Sequence, residues 1–188
     1  MKKYIFVMIS VLTVLIFNSL LPGSAEAARV AVVPIRVNEA EVERVSDFNS
    51  YYWDVMVERF TYPDYELMED AAVADILPDG ELKSFDKKTL LDLAKKADAE
   101  IVVAMSVDKV YDRPLHFRNE DTLECHMQAE FASYNKITGK YYHKKLDYEE
   151  EIEEVLTYRS DWQRNAFVSE LKRYLERTLE DKKAKKVF

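Results

Sequence analysis

Three histidines are the first residues to consider for chemistry, because imidazole serves both as a metal ligand and as a general acid or base. They are His116, His126 and His143. In the hairpin predicted below, His126 and His143 lie about six strand residues apart, roughly 20 Å at the rise of a strand. That separation is too long for two ligands of one ion, and His116 falls in a predicted loop. We therefore expect no transition-metal site.

An acidic run, Asp147-Tyr-Glu-Glu-Glu-Ile-Glu-Glu154, is the second candidate, because carboxylates bind hard cations. In a strand, however, alternate carboxylates point to opposite faces. The run also lacks the Asp-x-Asp-x-Asp-Gly turn that gathers oxygens around calcium. The sequence favours a solvated charge run that protects a sheet edge.

Motifs for covalent or nucleotide chemistry are missing from the sequence. Its three glycines, Gly23, Gly80 and Gly139, are too few and too scattered for a phosphate-binding loop or a nucleophile elbow. The single cysteine, Cys125, is interpreted as a small buried hydrophobe rather than a reactive thiol. We expect no catalytic residue and no bound cofactor, and hence a protein that is not an enzyme.

One segment carries groups suited to binding another protein. Leu115, His116 and Phe117 lie in the predicted loop Asp112 to Asn119. Apolar and aromatic side chains in a surface loop often mark a protein partner. The alternative is that Phe117 folds back and caps the end of the sheet.

The amino-terminal segment has the layout of a secretory signal peptide. Lys2 and Lys3 precede an apolar run from Tyr4 to Leu21, and the small-residue site Ala25-Glu-Ala27 follows. Cleavage after Ala27 would release the protein to the periplasm or the extracellular space, with no stable membrane insertion. The alternative is an uncleaved anchor, because the apolar run is long enough to span a bilayer.

Composition limits the partners of the exported chain. Removal of residues 1–27 leaves 25 basic and 34 acidic side chains, a formal charge of −9, which argues against a general nucleic-acid binder. One cysteine permits no internal disulfide, so the domain must be held together by its core. The sequence does not indicate an oligomeric state.

Two stretches with apolar residues on both parities predict strands that are buried on two faces. These are Ala28 to Val37, interrupted by Pro34, and Ala99 to Tyr111, whose second face turns polar from Ser106 onward. Between them, helical periodicity follows Asp47 and Asp86, and Tyr65 to Glu69 is a short strand candidate. Strand, helix, strand, helix, strand predicts a parallel sheet with right-handed crossovers.

A hairpin and a helix complete the chain. Strict alternation from Leu123 to Phe131 predicts a strand with one dry face, and a loop from Lys136 to Gly139 sets the register of the returning strand. This register places Met127 opposite Tyr148 and His126 opposite Glu149. A capping box at Ser160-Asp-Trp-Gln163 predicts a final helix, and the basic tail 182–188 follows.

The predicted fold is a single α/β domain over residues 28–181. Its mixed five-stranded sheet consists of a parallel βαβαβ half followed by an antiparallel meander. The predicted strand order is Tyr65, Ala28, Ala99, Thr122 and Tyr141, each strand being named by its first residue, with three helices on the apolar faces. At least one of Trp53 and Trp162 is expected to be partly buried.

Three segments resemble landmarks of bacterial envelope modules. They are Ala28 to Ile35, which ends near Val-x-Pro; Leu93 to Val107, in which a helix runs through Ala-Asp-Ala into a strand; and Tyr134 to Tyr141, with a Thr-Gly turn. The modules include the amino-terminal domain of TolB, the curli-secretion lipoprotein and the lipoprotein activators of penicillin-binding proteins. The resemblance covers Ala28 to Ile152.

The resemblance implies a periplasmic α/β domain that binds other proteins. The sequence departs from the pattern in lacking a lipobox cysteine and the pore-forming hairpins of a secretion channel, so neither membrane attachment nor channel formation is implied. The favoured hypothesis is an exported, non-enzymatic adaptor or assembly module with an envelope protein as its partner. The alternatives are an exported sensor domain that binds a small ligand or cation, and a hydrolase without a recognisable motif.

Overall fold

A computed structural model describes residues 27–42, 45–78, 81–115, 122–153 and 162–180. In chain order the elements are β1 (Ala28–Val32), β2 (Arg36–Val37), α1 (Val45–Arg59), β3 (Tyr65–Leu67), α2 (Asp70–Asp75), α3 (Lys87–Ala97), β4 (Ile101–Pro114), β5 (Thr122–Asn135), β6 (Lys140–Glu153) and α4 (Trp162–Leu179). The signal-like segment, the Ser160 end of the capping box and the basic tail lie outside the described residues.

The strands form one mixed sheet in the order β3-β1-β4-β5-β6, as predicted. β1 is parallel to β3 and β4, whereas β4, β5 and β6 form an antiparallel meander. The hairpin register is confirmed, with Met127 opposite Tyr148 and His126 opposite Glu149. Gly139 has a φ of 64° in the connecting turn, a left-handed conformation that glycine adopts readily.

The sheet has six strands rather than the predicted five, because the chain leaves the ladder around Pro34. Proline has no N–H to donate. β1 therefore ends at Val32, and the two residues of β2 pair with Ser106 and Val107 of β4. The predicted interruption at Pro34 is confirmed.

Helices α1 and α4 cover one side of the sheet along its length, here called the closed face. Phe48, Tyr52 and Met56 of α1 are fully buried there with Phe167 and Leu171 of α4. The Phe48 and Phe167 rings meet edge to face with centroids 5.2 Å apart. Of the two tryptophans, Trp162 is buried and Trp53 is half-buried, as expected.

Helices α2 and α3 cover the other side of the sheet only where it carries apolar residues, among them Ala31, Val102 and Ala132. Asp86 is the N-cap of α3, and its carboxylate accepts hydrogen bonds from the backbone N–H groups of Lys88 and Thr89. Asp98 ends the helix in the left-handed conformation. The remainder of this side, over the meander, has no helix on it among the described residues.

Two boundaries differ from the sequence prediction. β4 continues to Pro114 because Asp112, Arg113 and Pro114 pair with β5, so the predicted loop is shorter than expected at its start. Helix α1 begins at Val45, which places Asp47 in its first turn. None of the helices in the described ranges is long and apolar enough to cross a membrane.

Candidate functional site

The candidate site is the polar side of the meander that α2 and α3 leave uncovered, here called the open face. It consists of side chains from three neighbouring strands: Lys109, Tyr111 and Arg113 of β4; Glu124, His126, Gln128 and Glu130 of β5; and His143, Lys145, Asp147 and Glu149 of β6.

A bulge in β4 decides which of its residues belong to the open face. The β4–β5 register steps from Val107 opposite Ala129 to Lys109 opposite Gln128, so Asp108 is one extra residue. An extra residue reverses the alternation of side chains beyond it. Val110 is therefore buried on the closed face, and Tyr111 lies opposite His126 on the open face.

His126 is the centre of the open face and is only 8% exposed. Its Nδ1 lies 2.8 Å from the Tyr111 hydroxyl, and its Nε2 lies 2.7 Å from Oδ1 of Asp147. A carboxylate only accepts hydrogen bonds, so Nε2 carries a hydrogen atom and donates a hydrogen bond to Asp147. With both nitrogens engaged, the imidazole is held in one orientation.

Asp147 also accepts a hydrogen bond from Nε2 of Gln128, at 3.3 Å. The bond from His126, and then the bond from Gln128, hold the pKa of Asp147 below its ordinary value. Glu149 stands on the other side of the imidazole, with Oε1 3.9 Å from Nε2 of His126. One ligand atom from each of His126, Asp147 and Glu149 lies within 4.8 Å of the others.

Further ion pairs flank this cluster. Nε of Arg113 donates to Glu124 at 2.5 Å, and this bond lowers the pKa of Glu124 and raises that of Arg113. Nε2 of His143 lies 2.6 Å from Oε1 of Glu130. The open face is thus a network of hydrogen bonds and ion pairs across three neighbouring strands.

Sequence reasoning placed possible partner-binding groups at Leu115, His116 and Phe117. Leu115 is half-buried, and its N–H donates to the carbonyl of Thr122 at 2.9 Å. His116 and Phe117 lie outside the described residues. Their role in binding stays a prediction.

The sequence analysis did not predict the hydrogen bonds that link His126 to Tyr111 and Asp147. The hairpin register already placed His126 opposite Glu149, and Asp147 shares the parity of Glu149, so two members of the cluster could have been found from the sequence. Tyr111 could not, because an unbroken alternation along β4 assigns it to the closed face. The acidic run does send neighbouring carboxylates to opposite faces, but Asp147 and Glu149 share one.

Comparisons with known proteins found likeness at the level of structure. Neither a protein-family model nor a curated protein sequence matches the chain. Similar solved structures include the LpoB C-terminal domain from Salmonella enterica, 12% identical, covering 69% of this chain and 87% of that one with a TM-score of 0.39. The lipoprotein GNA1162 from Neisseria meningitidis is 12% identical and covers 78% and 99%, with a TM-score of 0.42.

A third solved structure, the hypothetical protein CT253 from Chlamydia trachomatis, is 13% identical and covers 81% of this chain and 91% of that one, with a TM-score of 0.43. LpoB is a penicillin-binding-protein activator lipoprotein, so the resemblance noted in the sequence is confirmed at the level of pattern. Identities and TM-scores this low transfer no function to the chain.

Proposed function

We propose that the chain is an exported, non-enzymatic protein of the cell envelope that binds another protein through its open face. One observation carries the proposal: the helices cover the sheet only in part and leave an array of charged side chains, linked by hydrogen bonds and ion pairs, over β4, β5 and β6. A surface whose charges are already positioned can recognise a complementary partner without the entropic cost of ordering them. The signal-like segment supports an envelope location.

The open face is suited to specific rather than non-specific protein binding. Its charges are fixed by mutual ion pairs, such as Arg113 with Glu124, and it carries the amphipathic ring of Tyr111, with Nζ of Lys109 5.0 Å from the ring centroid. Complementary charge patterns suppress wrong partners and set the orientation of the right one. We infer that the partner presents a mixed charge pattern of its own.

The test is capture of a partner from envelope extract by the mature chain, followed by measurement of binding with that partner purified. The variant Lys109→Glu/Arg113→Glu reverses two cations of the open face. Its matched control, Lys87→Glu/Lys88→Glu, reverses two exposed cations on α3. We expect stoichiometric binding that the first variant loses and the control retains. Both variants should have melting temperatures close to that of the wild type, so that lost binding is not due to unfolding.

Binding that survives the reversal of Lys109 and Arg113 would contradict the assignment of the open face. Absence of any stoichiometric partner would contradict the adaptor function itself. The loop prediction is tested beside it with Leu115→Ser/Phe117→Ser: lost capture at unchanged melting temperature supports a partner-binding loop, whereas lost stability with capture retained supports a capping role for Phe117.

A second candidate function, cation binding by a sensor domain, is favoured by the cluster of His126, Asp147 and Glu149. Imidazole and carboxylates are the ligands that zinc accepts, and hydrogen bonding to the second imidazole nitrogen is the usual support of a metal-bound histidine. Tyr111 is placed to give that support. Titration with Zn²⁺ by calorimetry checks this function: heat lost in His126→Gln and retained in His143→Gln supports it, and no heat with the wild type rejects it.

A further inference from the structure

We propose that β6 pairs with β6 of a second copy of this chain. The two strands would run antiparallel about a two-fold axis perpendicular to the sheet near Leu146, so that one sheet continues through both subunits. Backbone groups at the edge of the sheet make this contact, flanked by the β6 side chains of the open face, so the proposal goes beyond binding of a different protein through the open face.

The edge along β6 is long. All fourteen residues of the strand pair with β5, from Glu153 opposite Thr122 to Lys140 opposite Asn135. Within the described ranges, no strand pairs with the outer side of β6, which is last in the sheet order. Every second pair of backbone N–H and C=O groups along an edge strand points outward and can bond to another strand.

A second copy of β6 matches this edge in length. The opposite edge of the sheet is β3, which has only three residues. A head-to-tail contact between β6 and β3 would leave most of the fourteen-residue edge unpaired. Pairing of β6 with itself uses the same surface on both subunits and closes after two, as isologous interfaces do.

The charges of β6 are divided between its two halves. Lys144 and Lys145 are exposed in the first half, whereas Asp147, Glu149 and Glu150 are exposed in the second. Charged edge strands normally discourage pairing, and a parallel copy would place like charges side by side. An antiparallel copy instead brings the basic half of each strand against the acidic half of the other.

Strand geometry selects the register. Residues directly opposite in an antiparallel pair lie on the same face, so the two-fold axis must pass at a residue rather than between two. An axis at Leu146 places Lys145 opposite Asp147 of the second copy, His143 opposite its Glu149, and the two Leu146 side chains together. An axis at Asp147 would place two carboxylates opposite each other, so Leu146 is favoured.

Sedimentation of the mature chain at low and high salt is the first experiment. We expect a dimer whose dissociation constant rises with salt concentration, because the pairs at the edge are exposed and therefore screened. Protection from hydrogen exchange should extend to the outward N–H groups of β6 at concentrations that populate the dimer. A chain that stays monomeric at low salt, at the highest protein concentration that sedimentation can measure, overturns the proposal.

Two charge-reversal variants test whether the dimer forms through β6. Lys145→Glu places a carboxylate opposite Asp147 of the second copy, and Asp147→Lys places an ammonium group opposite its Lys145. Each reversal replaces attractive pairs by repulsive ones at two symmetry-related places, so each variant alone should raise the dissociation constant about tenfold or more. An equimolar mixture of the two variants should form a heterodimer.

The control is Lys87→Glu on α3, which changes the net charge by the same amount as Lys145→Glu and should dimerise like the wild type. Matching far-ultraviolet circular dichroism among the variants shows that each is folded. A wild-type dimer that both edge variants preserve, or a mixture that remains monomeric, overturns the assignment to β6. Since Lys109→Glu/Arg113→Glu leaves β6 unchanged, that variant should lose partner capture and still dimerise, so the two proposals can fail separately.

Discussion

His126 shows how the open face is fixed residue by residue. A nearly buried imidazole needs a partner for each nitrogen, and Tyr111 and Asp147 supply one each. Because Tyr111 is on β4 and Asp147 is on β6, this one histidine of β5 couples all three strands of the meander. Asp147 also accepts a hydrogen bond from Gln128. The charges that face solvent are therefore held in place by neighbours rather than by solvent alone.

Asp86 provides a pH-dependent contribution to stability. Its carboxylate accepts hydrogen bonds from the Ser84 hydroxyl and from the N–H and hydroxyl groups of Thr89, and these bonds lower its pKa well below the ordinary value. A carboxyl with a lowered folded pKa stabilises the protein above its ordinary pKa, and the contribution is lost as the pH falls toward the folded pKa.

We expect Asp86→Asn to melt slightly below the wild type at neutral pH, because Asn also caps a helix but lacks the charge that favours the helix N-terminus, with the gap closing as the pH falls from about 4 to about 2. Thermal melts of both proteins across that range measure the gap. Other carboxyls titrate equally in the two proteins, so the difference isolates Asp86. A gap that stays constant over the range would contradict the assigned role of its ionised form.

Cys125 is predicted to be chemically inert in the folded protein. Its side chain is fully buried, and burial, with smaller effects from the charges of Asp112 and Glu150, raises its pKa to about 12. Since the thiolate is the reactive form, a disulfide reagent at pH 8 should modify native protein far more slowly than protein unfolded in guanidinium chloride. Comparable rates in the two states would show that the thiol is accessible.

At the scale of elements, α4 is attached to the sheet at both ends. Nε1 of Trp162 donates to Asp112 at 3.2 Å where the helix begins. Near its end, the Thr178 hydroxyl lies 2.6 Å from that of Ser133, and the Thr178 carbonyl accepts from Asn135 at 3.2 Å. These contacts explain why a long helix lies flat along the closed face.

Phe167 is an apolar contact between α4 and α1. Its ring is fully buried and meets Phe48 edge to face. We expect Phe167→Ala to lower the free energy of unfolding by about 3–5 kcal/mol, because it removes buried area and leaves a cavity between the two helices and the sheet. Unfolding in urea, followed by circular dichroism, measures the loss.

Val57→Ala on α1 is the control for Phe167→Ala, because Val57 is 57% exposed. It should change stability by no more than about 0.5 kcal/mol. A loss below about 1 kcal/mol for Phe167→Ala would mean that the closed face can repack around the missing ring.

At the scale of the whole molecule, the two sides of the sheet differ in composition and cover. The closed face carries the larger apolar cluster and holds the meander against α1 and α4. That support allows β4, β5 and β6 to present polar groups on the other side without a covering helix. The main apolar contacts and the proposed binding surface therefore lie on opposite faces of the same strands.

The start of the domain bears on its export. β1 begins at Ala28, whose N–H donates to the carbonyl of Asp64 at 2.9 Å. We expect intact-mass measurement of the exported protein to find Ala28 as the first residue, since cleavage is predicted after Ala27. Ala27→Phe should block the small-residue site and retain the precursor. A wild-type mature fraction that keeps Met1 would favour the membrane-anchored alternative.

Much of the architecture could be predicted because its signals are local. The alternation between Leu123 and Phe131 allows one hairpin register, since a shift by one residue would expose every apolar side chain of the strand. Apolar residues on both parities in β1 and β4 require cover on both faces. Asp86 and the helical spacing after it mark α3 without reference to the rest of the chain.

The candidate site depends on strand pairing between distant parts of the sequence, which local sequence patterns do not show. The bulge at Asp108 reverses the alternation of β4, and only the pairing of β4 with β5 reveals it. That reversal brings Tyr111 to His126. The sequence by itself determined the order of the strands and the faces of the hairpin, whereas the tertiary structure decided which polar groups meet, because one unpaired residue redirects every side chain that follows it in the strand.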